Sequence, residues 1–141
     1  MALSDEEERV NNLVGEIRIL ESTYNELSGR QNLLERLLIE SRSSIDTLTG
    51  LSTTKTEEVL LPVGGGILLR ATPPNTDRVL LNVGANVLVE KDREYAKTFM
   101  EARAKELEES VIALASQRNQ IAQRLDSDRR VLQSIVNKQG Q

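Results

Sequence analysis

Two features of this sequence have residue types that chemistry can use: its 22 Asp and Glu side chains, and the run Gly64-Gly65-Gly66. Paired carboxylates can act as general acid and base, but only in a cleft that shifts their proton affinities, and here they sit at positions that read as solvated helix faces. A phosphate-cradling loop needs Gly-Lys-Ser or Gly-Lys-Thr opening a helix, whereas Ile67-Leu68-Leu69 follows these glycines. The chain has no His and no Cys, so the commonest general base, the commonest metal ligand and the thiol nucleophile are absent together. We therefore expect no catalytic residue, no metal site and no cofactor, and a protein that is not an enzyme.

Charge and hydropathy narrow the partners. With 18 Lys and Arg against 22 acids, the net charge of −4 argues against a chain that wraps nucleic acid, because that binding rests on neutralising phosphates. The charge-poor stretch from Val59 to Leu69 is broken by Pro62 and the glycines, and is far shorter than the roughly 20 apolar residues that cross a bilayer. No membrane partner is expected. Ser4, Asp5, Glu6, Glu7 and Glu8 lack the basic and apolar regions of a signal peptide, which points to the cytoplasm.

The elements that must position any function follow from texture. Val10, Leu13, Ile17, Leu20, Tyr24, Leu27, Gln31, Leu34, Leu38, Ser41, Ile45 and Leu48 fall on one seam at spacings of three and four, flanked by charges. This is a coiled-coil pattern. Ser4 and Glu7 have capping-box spacing and Gly50 stands where a helix would stop, giving a first helix over 4–49. Met100, Ala104, Leu107, Val111, Leu114, Arg118, Ile121, Leu125, Asp128, Leu132 and Ile135 repeat the pattern in a second helix over 92–138, with Asp92 as its cap. Each helix would be roughly 65 Å long at 1.5 Å per residue. They fold back most simply as an antiparallel pair, so that the chain ends meet at one far tip.

Residues 50–91 read differently. Val59 to Ala71 laid over Val79 to Lys91 gives six identities in thirteen positions at an offset of 20, an internal duplication. Each copy is two apolar runs joined by Gly64-Gly65-Gly66 or Gly84-Ala85-Asn86, which predicts two β-hairpins. Thr72-Pro73-Pro74-Asn75-Thr76-Asp77 separates them. The fold class is thus α+β, a long antiparallel two-helix coiled coil with two β-hairpins at its base, organised as a single subunit over 1–141.

Strands with one wet face alternate apolar and polar, and these do not. Val59, Leu60, Leu61 and Val63 face Ile67, Leu68 and Leu69; Val79, Leu80, Leu81 and Val83 face Val87, Leu88 and Val89. Both faces want cover, and bare apolar edges drive association, so these are the expected subunit-assembly residues. A small sheet packed on the helix bases of the same chain is the other possibility. At the far tip the seam gains apolar neighbours, Val14, Val131 and Val136. Read as a surface they offer a place to hold apolar ligands; read as packing they are ordinary seam neighbours.

Two long coiled-coil helices around a duplicated Leu-Leu-Pro-Val-Gly and Leu-Leu-Asn-Val-Gly pair of hairpins is similar to the alpha class of prefoldin subunits, most of all the archaeal form. The resemblance covers essentially the whole chain. It implies a molecular chaperone subunit: a hexamer of two alpha and four beta subunits, with hairpins joined into β-barrels and coiled coils projecting from them. It further implies ATP-independent holding of non-native client proteins at the tips and their transfer to a group II chaperonin. Client contact would then fall on Leu13, Val14, Val131, Leu132, Ile135 and Val136. The alternative is a structural coiled-coil scaffold or an RNA-binding arm, which predicts a polar tip.

Overall fold

Helix α1, Asp5–Thr53, begins at a reciprocal cap. The Glu7 N–H donates to Ser4 Oγ and the Ser4 N–H donates to Glu7 Oε2, each at 3.2 Å. Four acids in the first turn complement the helix dipole. The computed structural model describes residues 4–53, 58–72 and 77–140. The segment expected to separate the hairpins lies partly outside these, at 73–76.

The first helix continues through Gly50 rather than stopping there. Its last turns are rich in Ser and Thr, and their hydroxyls back-bond to carbonyls four residues earlier: Ser41 to Leu37, Ser44 to Glu40, Thr47 to Ser43 and Thr49 to Ile45, at 2.8 to 3.0 Å. Hydroxyls satisfied within the helix leave no side-chain bond that would divert its backbone, although such back-bonding adds no stability of its own.

Strands β1 (Val59–Gly64) and β2 (Ile67–Ala71) pair antiparallel, as do β3 (Arg78–Asn82) and β4 (Leu88–Asp92). The two sheets are separate. In the first hairpin the connection is shorter than the three glycines suggest: β1 runs through Gly64, and the register slips between Pro62 and Gly64 so that Val63 bulges. In the second, the Val83 N–H donates to the Val87 carbonyl at 3.0 Å and closes Gly84-Ala85-Asn86. The duplication extends to the backbone. Gly64, Gly65 and Gly66 have φ of 99°, 60° and 80°, and Gly84, Ala85 and Asn86 have 117°, 50° and 59°.

Helix α2, Arg93–Gln139, follows β4 without a linker. Asp92, expected as its cap, ends β4 instead and spends its carboxylate on the cross-strand Arg78 guanidinium at 2.8 Å. The Arg93 N–H donates to the Asp77 carbonyl at 2.8 Å, tying the start of α2 to the entry of β3.

The chain divides into two units, Met1–Arg36 with Glu108–Gln141, and Leu37–Leu107. In the first, the two helical segments run antiparallel, fastened by Glu16 to Arg124 and Glu21 to Arg129, each at 2.7 Å. These pairs join g to g and e to e positions on either flank of the seam, the pairing an antiparallel coiled coil requires. Its buried side chains are Leu20, Leu27, Gln31, Leu114, Leu125 and Ile135. In the second unit Leu38, Ser41, Leu81 and Ala96 are buried. Every seam residue of both helices is buried or half-buried, and none is exposed.

Candidate functional site

Two surfaces answer to the functional residues, one in each unit. In the hairpin unit, β1–β2 is bare on both faces: Leu60, Leu61, Val63, Ile67, Leu68 and Leu69 are all about half or more exposed, reaching 61% at Ile67. Only Val59 and its register partner Ala71, at the open end, are half-buried. Covering the half of each of these six aliphatic side chains that remains in water would gain on the order of 1 kcal/mol per residue.

The second hairpin is different. Leu81 is 8% exposed while its neighbour Leu80 is 68% exposed, so one face of β3 is covered within the chain and the other is not. Val79 and Val89 are half-buried on the covered side, and Val83, Val87 and Leu88 are exposed. A cleft of about 340 Å³ there is lined by Ser43, Ser44, Thr47 and Leu48 of α1, by Val79, Leu80 and Leu81, and by Ala96 and Met100 of α2. Of the assembly residues expected from sequence, then, Leu81 is committed to its own chain, and the first hairpin presents more free aliphatic surface than the second. The duplicated sequences hide this asymmetry because the covering residues lie on the helices.

In the helical unit, the residues of the expected client site come together at the free ends of α1 and α2, but not on one open face. Leu13, Val14, Val131 and Leu132 are half-buried, Ile135 is 7% exposed and Val136 is 49% exposed. Val136 is thus the one exposed side chain of the six, about half of it in water. A groove beside it is lined by Asp5, Glu6 and Arg9 of α1 and by Arg130, Val131, Ser134, Ile135 and Lys138 of α2. It mixes an apolar floor with charges of both signs. Nothing in it resembles a catalytic cleft, and among the described residues no cluster of His, Cys, Asp or Glu could hold a metal ion.

The polar residues of the seam have particular surroundings. Arg118 lies over the Tyr24 ring at 5.9 Å, a cation–π contact that places its charge at the seam margin. Gln31 donates to Glu35 at 3.1 Å, yet its Oε1 is buried without a partner. Asp128 Oδ2 is likewise buried and unpartnered. Ile19, Leu33, Ile39 and Ile112 are aliphatic and exposed, as their positions off the seam require. These positions are scattered rather than contiguous, as single surface aliphatics usually are. No helix among the described residues is long and apolar enough to cross a membrane.

Comparison with known proteins agrees with this arrangement. The sequence profile of the prefoldin subunit family matches residues 20–138. The chain is 28% identical over 130 residues to the protein named Prefoldin subunit alpha of Nitrosopumilus maritimus, covering 92% of this chain and 90% of that one. It is 39% identical over 106 residues to Prefoldin subunit alpha of Methanoregula boonei, covering 70% and 69%. Among solved structures, a cryo-EM structure of filamentous PFD from Methanocaldococcus jannaschii superposes with a TM-score of 0.52 at 24% identity, covering 85% of this chain and 94% of that one. Two long helices enclosing two small antiparallel hairpins, matched by a family profile over most of the chain, place this protein in the prefoldin family, a family of chaperones rather than enzymes, as an archaeal-type alpha subunit.

Proposed function

We propose that the whole chain acts as one subunit of a cytoplasmic hetero-hexamer of two alpha and four beta prefoldin subunits that holds non-native proteins without nucleotide and passes them to a group II chaperonin. The observation that carries the reading is the distribution of uncovered aliphatic surface. Both faces of β1–β2 and the outer face of β3–β4 lie open, and four short strands cannot close one another's edges. Strands from neighbouring subunits that complete them into β-barrels would remove these edges altogether. Assembly into a larger object is also what the solved relative's description, filamentous PFD, says of that protein.

The free ends of α1 and α2 are the client site in this reading. Leu13, Val14, Val131, Leu132, Ile135 and Val136 form a small apolar cluster, exposed at Val136 and partly so at four of the others, beside a groove of mixed charge. One such patch binds poorly, but several presented by one assembly act together, because each contact after the first is effectively intramolecular. A holdase of this kind needs neither a pocket nor a nucleophile.

The test is light scattering of a denatured model protein diluted into buffer without nucleotide. The chain, co-assembled with a prefoldin beta subunit, is compared with a form lacking 1–14 and 129–141. The intact assembly should suppress aggregation and the truncated one, still assembled, should not. Equal suppression by both would remove the client site from the helix ends.

A further inference from the structure

Hairpin β3–β4 has one face covered within the chain at Leu81, and the connection 72–77 is as long as many that join neighbouring elements. If β2 turned back beside β3, a four-stranded meander would close two free edges. It would also bring Leu61 and Leu69, the counterparts of Leu81 and Val89, to the covered side. The two hairpins nevertheless form separate sheets, and the first leaves its aliphatic side chains in water. Charged residues at the open ends supply a physical reason. In the first hairpin Glu58, entering β1, pairs with Arg70 of β2 at 3.6 Å. In the second, Arg78 of β3 pairs with Glu90 of β4 at 3.5 Å and with Asp92 at 2.8 Å. Positions 58 and 70 correspond to 78 and 90 at the offset of 20 that relates the two copies. The ion pair is thus duplicated with its charges exchanged.

That exchange fixes what meets when the two hairpins of one chain lie side by side. Residues two apart along a strand share a face, so Glu58, Leu60, Leu68 and Arg70 share one, and Arg78, Leu80, Leu88 and Glu90 share its equivalent. With these equivalent faces on one side, β2 beside β3 puts Arg70 opposite or diagonal to Arg78. The other arrangement, β4 beside β1 with open ends level, puts Glu90 and Asp92 against Glu58. Both junctions join like charges, which oppose pairing; two hairpins of unexchanged polarity would join opposite charges at both. All of these charged side chains are about half or more exposed, so each is free to meet a neighbouring strand.

We propose that the exchanged ion pairs keep the two hairpins of one chain from pairing with each other, and so reserve their strand edges for other subunits. Such a block matters because strands tethered in one chain meet at an effective concentration far above that of a partner in solution. The block is a property of the chain alone; the use of the reserved edges for assembly rests on the function proposed above.

Glu58→Arg with Arg70→Glu tests the block, because it reverses the first ion pair at exposed positions, leaves the net charge unchanged and makes both junctions attractive. Hydrogen exchange of the full-length chain alone reads closure. The double variant should slow the amides of 67–71 and 78–82 by about tenfold, the effect of replacing a like-charged cross-strand pair by an opposite one. Adding Arg78→Glu and Glu90→Arg, with Asp92→Asn to spare the new glutamate a like-charged neighbour, restores like charges at both junctions. Exchange should then return to the rate of the unaltered chain. Each variant keeps an ion pair in both hairpins, so neither result depends on a damaged fold. Unchanged exchange in the double variant, or slow exchange that persists when both pairs are reversed, would overturn the proposal. Sedimentation of the double variant mixed with a beta subunit then addresses assembly: slower exchange with about tenfold weaker assembly supports the whole scheme. Slower exchange with undiminished assembly leaves the block standing and removes these edges from the subunit interface.

Discussion

The hairpin turns set the most demanding backbone condition at single residues. Three successive left-handed conformations are filled by glycine in the first hairpin, but in the second Ala85, at φ 50°, and Asn86, at φ 59°, take two of them. Asparagine tolerates this region and alanine does not. Ala85→Gly should therefore stabilise the second hairpin, by about 0.5 to 1 kcal/mol after the added chain entropy is discounted. Gly65→Ala should cost a similar amount. Urea unfolding of the two variants gives the comparison, and equal midpoints would contradict it. At the seam, Tyr24→Leu keeps an apolar residue but removes the ring under Arg118, and should cost about 0.5 to 1 kcal/mol in thermal unfolding.

At the scale of elements, the helical pair is held by a narrow seam with ion pairs on its flanks. Leu125, 5% exposed, is among the best covered side chains of that unit, and Leu125→Ala should destabilise it by about 2 to 3 kcal/mol. The Glu16–Arg124 and Glu21–Arg129 pairs are largely exposed and should contribute only about 0.2 to 1 kcal/mol each, most of it lost at high salt. Circular dichroism melts in low and molar salt separate these two kinds of support. The effect of Leu125→Ala should persist in salt, while that of replacing Glu16 and Glu21 by Gln should fade. Helix periodicity made this seam legible residue by residue, because every apolar position at three and four spacing is covered. The end of α1 was less legible: Gly50 reads as a stop, but the helix runs on to Thr53, since a single glycine costs a helix only about 1 kcal/mol and need not end it.

For the whole molecule, the two hairpins divide into an inward and an outward role despite their common sequence. Leu68 is 55% exposed, so Leu68→Asp should leave the chain's own helical content intact while abolishing assembly with partner subunits, as read by sedimentation. Leu81→Asp places a charge at a buried position and should damage the fold of its unit as well. A Leu68→Asp chain that still assembles normally would remove β1–β2 from the interface.

The amino-acid sequence by itself determined the element types, the coiled-coil seam, the duplication and the absence of His and Cys chemistry, because each depends on local spacing or on composition. Tertiary structure alone decided which hairpin face is covered, that Asp92 ends a strand instead of capping a helix, that Arg118 rests on Tyr24, and that Ile135 is covered while Val136 is free. Those outcomes depend on which side chains meet across elements distant in sequence. A period of three and four specifies that a residue faces a partner, but what that partner is, and whether it leaves room for water, is settled only when the second element is in place.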